Sequence, residues 1–192
     1  MGAGKRSSVR WRIVLIYFML VFIAMTIVSV FLMDRIEDYQ INSLKSNIES
    51  TISGSNLLNS LGQYDDLSEH SEEIRRSFDM GWSSSFTEEI SVVGKDLIIC
   101  ASSNRSLIGR SAGEVFDTGL IISTLANGED GESDSVSGEI PVKNFCFAVR
   151  SASGDVTGAL FVRADLSDIR SFISSSRMLF IEAILLALAI TV

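Results

Sequence analysis

Apolar residues fall in two dense blocks, with patterned sequence between them. Ile13 to Met33 (IVLIYFMLVFIAMTIVSVFLM) carries no charge. A helix of that length covers about 30 Å, the thickness of a hydrocarbon core, and no polar face interrupts it. The pattern predicts a membrane-crossing helix over 13–33. It is unlike a cleaved signal peptide, whose apolar stretch is ~7–15 residues and ends at a small-x-small site. The second block starts at Met178 (MLFIEAILLALAITV) and holds one acid, Glu182. Its ~22 Å of helix falls short of a span, so 178–192 is expected to be the start of a second transmembrane helix in a chain that continues.

Between the blocks the period changes twice. Ile41, Leu44, Ile48, Thr51, Ser55 and Leu58 alternate in steps of three and four, which predicts a helix over 34–61 continuing out of the first block. Gly62 is its expected stop. Leu67, Ser71, Ile74 and Phe78 predict a second, short helix with acids first and Arg75 and Arg76 last. Strand patterns follow at 89–93 and 96–101, joined by a two-residue turn at Gly94-Lys95, and at 136–140, 143–150 and 156–163. Residues 104–128, rich in glycine, predict an irregular, partly helical crossover. A helix starting near Ala164 shows Leu166, Ile169, Ile173 and Ser176 on one face and feeds into Met178. The expected fold class is α+β: a five-stranded antiparallel sheet with a long N-terminal helix over one face.

Charge orients this layout. Lys5, Arg6, Arg10 and Arg12 precede the first block with no acid among residues 1–12, which places that end in the cytoplasm, and Trp11 sits where an interfacial aromatic belongs. All of the 24 acids except Glu182 lie in 34–177, so the exported part is acidic. A net charge of −8 and a pI near 4.7 exclude nucleic acid as the main partner. A mean hydropathy of +0.31 averages over membrane and exported parts. A single Pro and two Cys exclude collagen-like and disulfide-stapled scaffolds.

The segment ISVVGKDLIICASSNRSLIGRSAGEVF (Ile90–Phe116) resembles the hairpin and following segment of extracytoplasmic Cache (PAS-like) sensor domains. AVRSASGDVTGALFVRADLSDI (Ala148–Ile169) resembles their closing hairpin, with Gly154 and Gly158 in the family's glycine places. The turn at Val92-Val93-Gly94-Lys95-Asp96 departs from the family, its Asp and Gly being rearranged. The resemblance implies a single-Cache, PAS-like module over 34–177 between two transmembrane helices. With the flanking spans, it is similar to the N-terminal half of Gram-positive sensor histidine kinases of the cell-wall-sensing type. That implies the input half of a two-component sensor kinase, two-pass in the plasma membrane and homodimeric. It would perceive a small ligand or an envelope component and address a cytoplasmic response regulator through the missing kinase part. Chemoreceptors and diguanylate cyclases carry the same kind of module, and a non-catalytic envelope-binding protein is the alternative of a different class.

No catalytic core is expected in this chain. The sole histidine, His70, lies among acids in the exported part and reads as a solvent-facing helix residue. No phosphate-cradling Gly motif exists, and no cofactor or metal is expected. Glu129–Asp134 lacks the spacing of a calcium loop and reads as a solvated loop. Cys100 and Cys146 fall in strands that are not neighbours and read as buried free thiols, with a disulfide as the open alternative. A ligand pocket is expected between the sheet and the 103–128 crossover, with Ser102, Ser103, Arg105 and Arg110 on the crossover. Arg150, on a strand face beside the small Cys146 and Ala148, would offer a carboxylate-matching fork. A charge at Leu44 or Ile48 is expected to uncouple the module from its output by breaking a helix seam.

Overall fold

A computed structural model describes residues 9–82 and 86–191. Lys5 and Arg6 lie outside the described residues. The chain divides into two compact units, residues 1–43 with 168–192, and residues 44–167.

In the first unit, helix α1 begins at Val9 and continues unbroken to Gly54, and helix α5 runs Ser167–Thr191. The apolar part of α1 has a mean hydropathy of 2.8 over its best window, and none of that window is buried by the protein. An uncharged helix with nothing to cover it marks the chain for membrane association. Met33 of α1 and Ile173 of α5 are the buried positions of this unit among its described side chains.

The second unit is built on a five-stranded antiparallel sheet in the order β2-β1-β5-β4-β3. Its strands are β1 (Glu89–Gly94), β2 (Ile99–Ser102), β3 (Gly131–Ser137), β4 (Ile140–Arg150) and β5 (Val156–Asp165). Consecutive side chains alternate between faces, so register sorts the residues cleanly. One face presents Ile90, Val92, Phe145, Phe147, Val149, Leu160 and Val162. Against it pack Ile48 and Ile52 from the last turns of α1, then Leu57 and Leu61 of the short helix α2 (Leu57–Leu61), then Leu67, Ile74 and Phe78. The last group belongs to or flanks α3 (Ser71–Ser77). The opposite face is covered by the crossover, through Leu107, Ala112, Phe116 and Ile121, the last from α4 (Thr118–Asn127).

Several expectations change. The α1 seam is not a separate surface: Ile48 is 1% exposed and sits in the sheet core, with Leu44 packed against the same cluster. A charge at 48 would therefore be buried in the core and would report on folding rather than on helix coupling. The helix also stops earlier than predicted. Asn56 takes a left-handed conformation (φ 52), and α2 then starts in a new direction. The predicted strand at 136–140 is replaced by β3 at 131–137, and the β3–β4 turn is made at Gly138 (φ 67) and Glu139. Of the stretch Glu129–Asp134, expected as a loop, residues 131–134 thus form the first half of the edge strand. The β1–β2 turn is longer than two residues. Leu97 has φ 62, and Asp96 Oδ1 accepts from the Ile98 amide.

Two glycines of the closing hairpin have physical reasons. Gly154 takes φ 91 in the β4–β5 turn. A Cβ on Gly158 would collide with the Val93 carbonyl and the Leu67 side chain, so glycine there lets Leu67 descend onto the sheet.

Candidate functional site

The crossover-facing side of the sheet is far more polar than its opposite. Register lines up one row across four strands: Ser133 of β3, Asn144 of β4, Arg163 of β5 and Glu89 of β1. The next row runs Gly131, Cys146, Phe161, Ser91 and Ser102. The row beyond it is apolar, with Ala148, Ala159, Val93 and Ile99.

Arg163 is the centre of the polar row. Its Nη2 donates to the Val115 carbonyl of the crossover at 2.8 Å, and its guanidinium lies 4.8 Å from the centroid of Phe116. Phe116 in turn stacks on Phe161 at 4.3 Å. The nearest anion is Glu89, at 3.6 Å from Nη1, close enough for an ion pair but beyond a hydrogen bond. Asn144 is 1% exposed and donates from Nδ2 to the hydroxyls of Ser135 (2.8 Å) and Ser133 (3.4 Å).

These groups are not fully satisfied. Four buried side-chain polar atoms among the described residues have no hydrogen-bond partner: Glu89 Oε1, Asn144 Oδ1, Arg163 Nε and Thr124 Oγ1. Three belong to the single polar row. The fourth is on α4, whose Thr124 hydroxyl overhangs Gly131 on the same face. Turning the Asn144 amide over exchanges which of its ends is left without a partner, not the fact that one is. Each orphaned group costs roughly 1–3 kcal/mol relative to a paired one. They converge on one face of one sheet, which makes that face the candidate site.

The residues singled out from the sequence are not gathered at one place. Ser102 is buried on this face, where its Oγ accepts from Ser91 Oγ and from the Asn104 amide. Ser103 Oγ accepts from the Ile90 amide and donates to the Ile90 carbonyl, closing the end of the β1–β2 hairpin. Arg105 is exposed and pairs with Asp79 at 3.3 Å, and Arg110 is exposed and pairs with Glu114 at 3.5 Å. Arg150 does share its face with Cys146 and Ala148, but its fork is used internally. Nη2 donates to the Gly128 carbonyl at the end of α4 and Nη1 to the Gly154 carbonyl in the turn.

Sequence reading missed Glu89, Asn144 and Arg163. The available signal was their position inside otherwise apolar strands, where a charge or amide is seldom placed without use.

The two cysteines are free and lie on opposite faces, Cys100 toward the helices and Cys146 toward the crossover. Burial pushes both thiols up to about 11, so neither is a ready nucleophile. His70 precedes α3, with Nδ1 3.0 Å from the Asp66 carbonyl and its ring 5.0 Å from Tyr64.

No family model matches the sequence. No curated protein matches it either. Among solved structures the chain is similar to an extracellular ligand binding receptor from Desulfohalobium retbaense. The TM-score is 0.52 at 13% identity, over 76% of this chain and 27% of that one. It is also similar to the extracellular domain of rpHK1S-Z16, with TM-score 0.50 and 9% identity over 75% of this chain and 58% of that one. The sensor domain of the Vibrio cholerae histidine kinase DctB gives 0.46 at 16% identity, over 73% and 58%. The chain therefore spans less than two thirds of each of these chains. The first two similarities show the fold alone: an α+β module of the kind found in those extracellular domains.

Proposed function

We propose that the chain is the signal-input part of a membrane-bound receptor. Residues 13–33 cross the membrane, 34–177 form the extracytoplasmic module, and the helix entering at 178 returns to the membrane. The observation that carries this reading is helical continuity at both ends of the sheet module. α1 is one helix from its apolar block to the Ile48 and Ile52 core contacts, and α5 leaves β5 after Leu166 and continues to Thr191. A ligand seated between sheet and crossover would act by biasing the position of these two rods. The PAS/Cache-like fold supports the reading by analogy. A histidine kinase output, a response regulator as its partner and a homodimeric assembly rest on the resemblance of the sequence.

Topology tests the anchor and the module together. Ala152 is exposed in the β4–β5 turn, and the native thiols are buried. Ala152→Cys in whole cells should react with a membrane-impermeant maleimide while the wild type stays silent. Labelling that requires permeabilised cells would overturn the proposal.

A further inference from the structure

The two helices of the first unit leave a space between them. Both α1 up to Ser43 and α5 belong to that unit. The cleft has a volume of about 580 Å³, within the ~300–1,000 Å³ of small-molecule sites. Phe22, Thr26, Ser29 and Met33 of α1 recur in steps of four, three and four, so they share one wall. Phe180 and Ile181 of α5 line the other side. At the mouth stand two charges of opposite sign, Asp34 on α1 and Arg177 on α5, each at the polar end of its apolar block. Both are exposed, and neither makes an ion pair or a hydrogen bond among the described residues.

Apolar volume at membrane depth is filled by hydrocarbon or by another helix, and the polar end of the cleft favours a lipid. From Asp34 to Phe22 the α1 wall is about 18 Å long, roughly the depth of one leaflet of a ~30 Å hydrocarbon core. The Ser29 hydroxyl, about 7 Å below Asp34, is placed to donate to an ester carbonyl. A purely anionic headgroup brought to Arg177 would meet Asp34. A headgroup with a phosphate and a primary ammonium satisfies both side chains through charge-assisted bonds, whereas a quaternary ammonium has no N–H to donate. We infer that the cleft holds one phospholipid of the phosphatidylethanolamine class. Its phosphate lies on Arg177, its ammonium on Asp34 and an acyl chain between Phe22 and Phe180. The inference rests on the receptor reading above only in placing both helices in the bilayer. The lipid stands between the two rods that carry the signal, so the lipid content of the leaflet sets their spacing.

The test is native mass spectrometry of the full chain released from micelles that contain equimolar dioleoyl phosphatidylethanolamine, phosphatidylglycerol and phosphatidylcholine. One ethanolamine lipid per chain should be retained, at about threefold or more over either other lipid, the scale of one interfacial ion pair. Arg177→Gln should lose the retained lipid. Asp34→Asn should keep a lipid but take the ethanolamine and glycerol headgroups alike. Arg35 is the control: its guanidinium lies 5.3 Å from the centroid of Phe31, outside the cleft, and Arg35→Gln should change nothing. All three side chains are exposed, so folding is not at stake. Equal retention of phosphatidylglycerol by the wild type, or no retained lipid, would overturn the assignment. So would an unchanged preference in Asp34→Asn, or the same loss in Arg35→Gln as in Arg177→Gln. Ser29→Cys addresses the rival occupant, a helix of a second copy, because the native thiols are buried. Oxidation in membranes should give no disulfide-linked dimer through position 29, and such a dimer would also overturn the assignment. None of these results depends on which side of the membrane Ala152 is labelled from, so the lipid and the receptor topology can fail separately.

Discussion

The two faces of one sheet are built to different standards. The face toward α1, α2 and α3 is dry: Phe145, Leu160 and Val162 meet Leu57, Leu61, Leu67 and Ile74, all at or near zero exposure. The face toward the crossover buries Ser91, Ser102 and Asn144 and leaves Arg163 and Glu89 partly exposed, and the four orphaned polar atoms among the described residues gather there. A face optimised for stability alone would have filled those positions with Val and Leu, as the opposite side does. The contrast assigns folding to one side and leaves the other as the candidate site.

The largest effect should come from the dry face. Phe145→Ala removes a ring that is 1% exposed and should lower unfolding free energy by about 3–5 kcal/mol in denaturant titrations. A loss no greater than about 1 kcal/mol would mean that this side is not the stabilising one. A sharper comparison makes the same exchange in opposite directions. Val162→Thr on the dry face inserts a hydroxyl where the strand packs against the apolar cluster, and should cost about 1–3 kcal/mol. Thr124→Val on the crossover face deletes a buried hydroxyl whose one neighbour is the weakly bonding Cys146 thiol, and should be close to neutral, within about 1 kcal/mol. Equal losses from both would break the distinction between the faces.

The same difference explains which parts were legible in the sequence. The helix faces and the strands of the dry side are written in period. Leu67, Ile74 and Phe78 were expected on one face and are buried together, and the β4 and β5 cores fell at their predicted places. β3 was missed because it is an edge strand of Gly, Ser, Asp and Glu, whose propensities favour a loop. Pairing with β4, not its own composition, makes it a strand. The site was missed for a related reason. The expected arginines are Arg105 and Arg110 of the crossover, exposed and engaged with nearby acids, and Arg150 of β4, whose fork is used internally. Arg163 joins Glu89 and Asn144 only through the registers β1–β5 and β4–β5, which no local pattern records.

Polar groups also occur on the helix side, but there they are paired and lie toward the rim. Lys45 of α1 reaches Glu132 of β3 at 2.8 Å, and Glu132 and Asp134 both contact Lys143 of β4. The clasp ties the last turns of α1 to the strand whose other face carries Ser133 and Ser135, the partners of Asn144. The hydrogen bond to Glu132 raises Lys45 above its ordinary range, and the hydrogen bond from Lys45 holds the Glu132 carboxyl below its own. Glu132 therefore contributes stability above its unfolded pKa and loses it as pH falls through the depressed folded value. Lys45 contributes below its unfolded pKa and loses that as pH rises through the raised folded value. Both side chains are about 40% exposed, 43% and 40%, so solvent screening limits the pair to about 1 kcal/mol or less. Glu132→Gln should cost no more than that at neutral pH. Its deficit against the wild type should disappear once acid protonates Glu132, and should shrink in about 1 M NaCl, where the Debye length is ~3 Å. A deficit indifferent to both acid and salt would show that Glu132 acts through packing. The helix side would then have no electrostatic link to the strand whose other face carries Ser133 and Ser135.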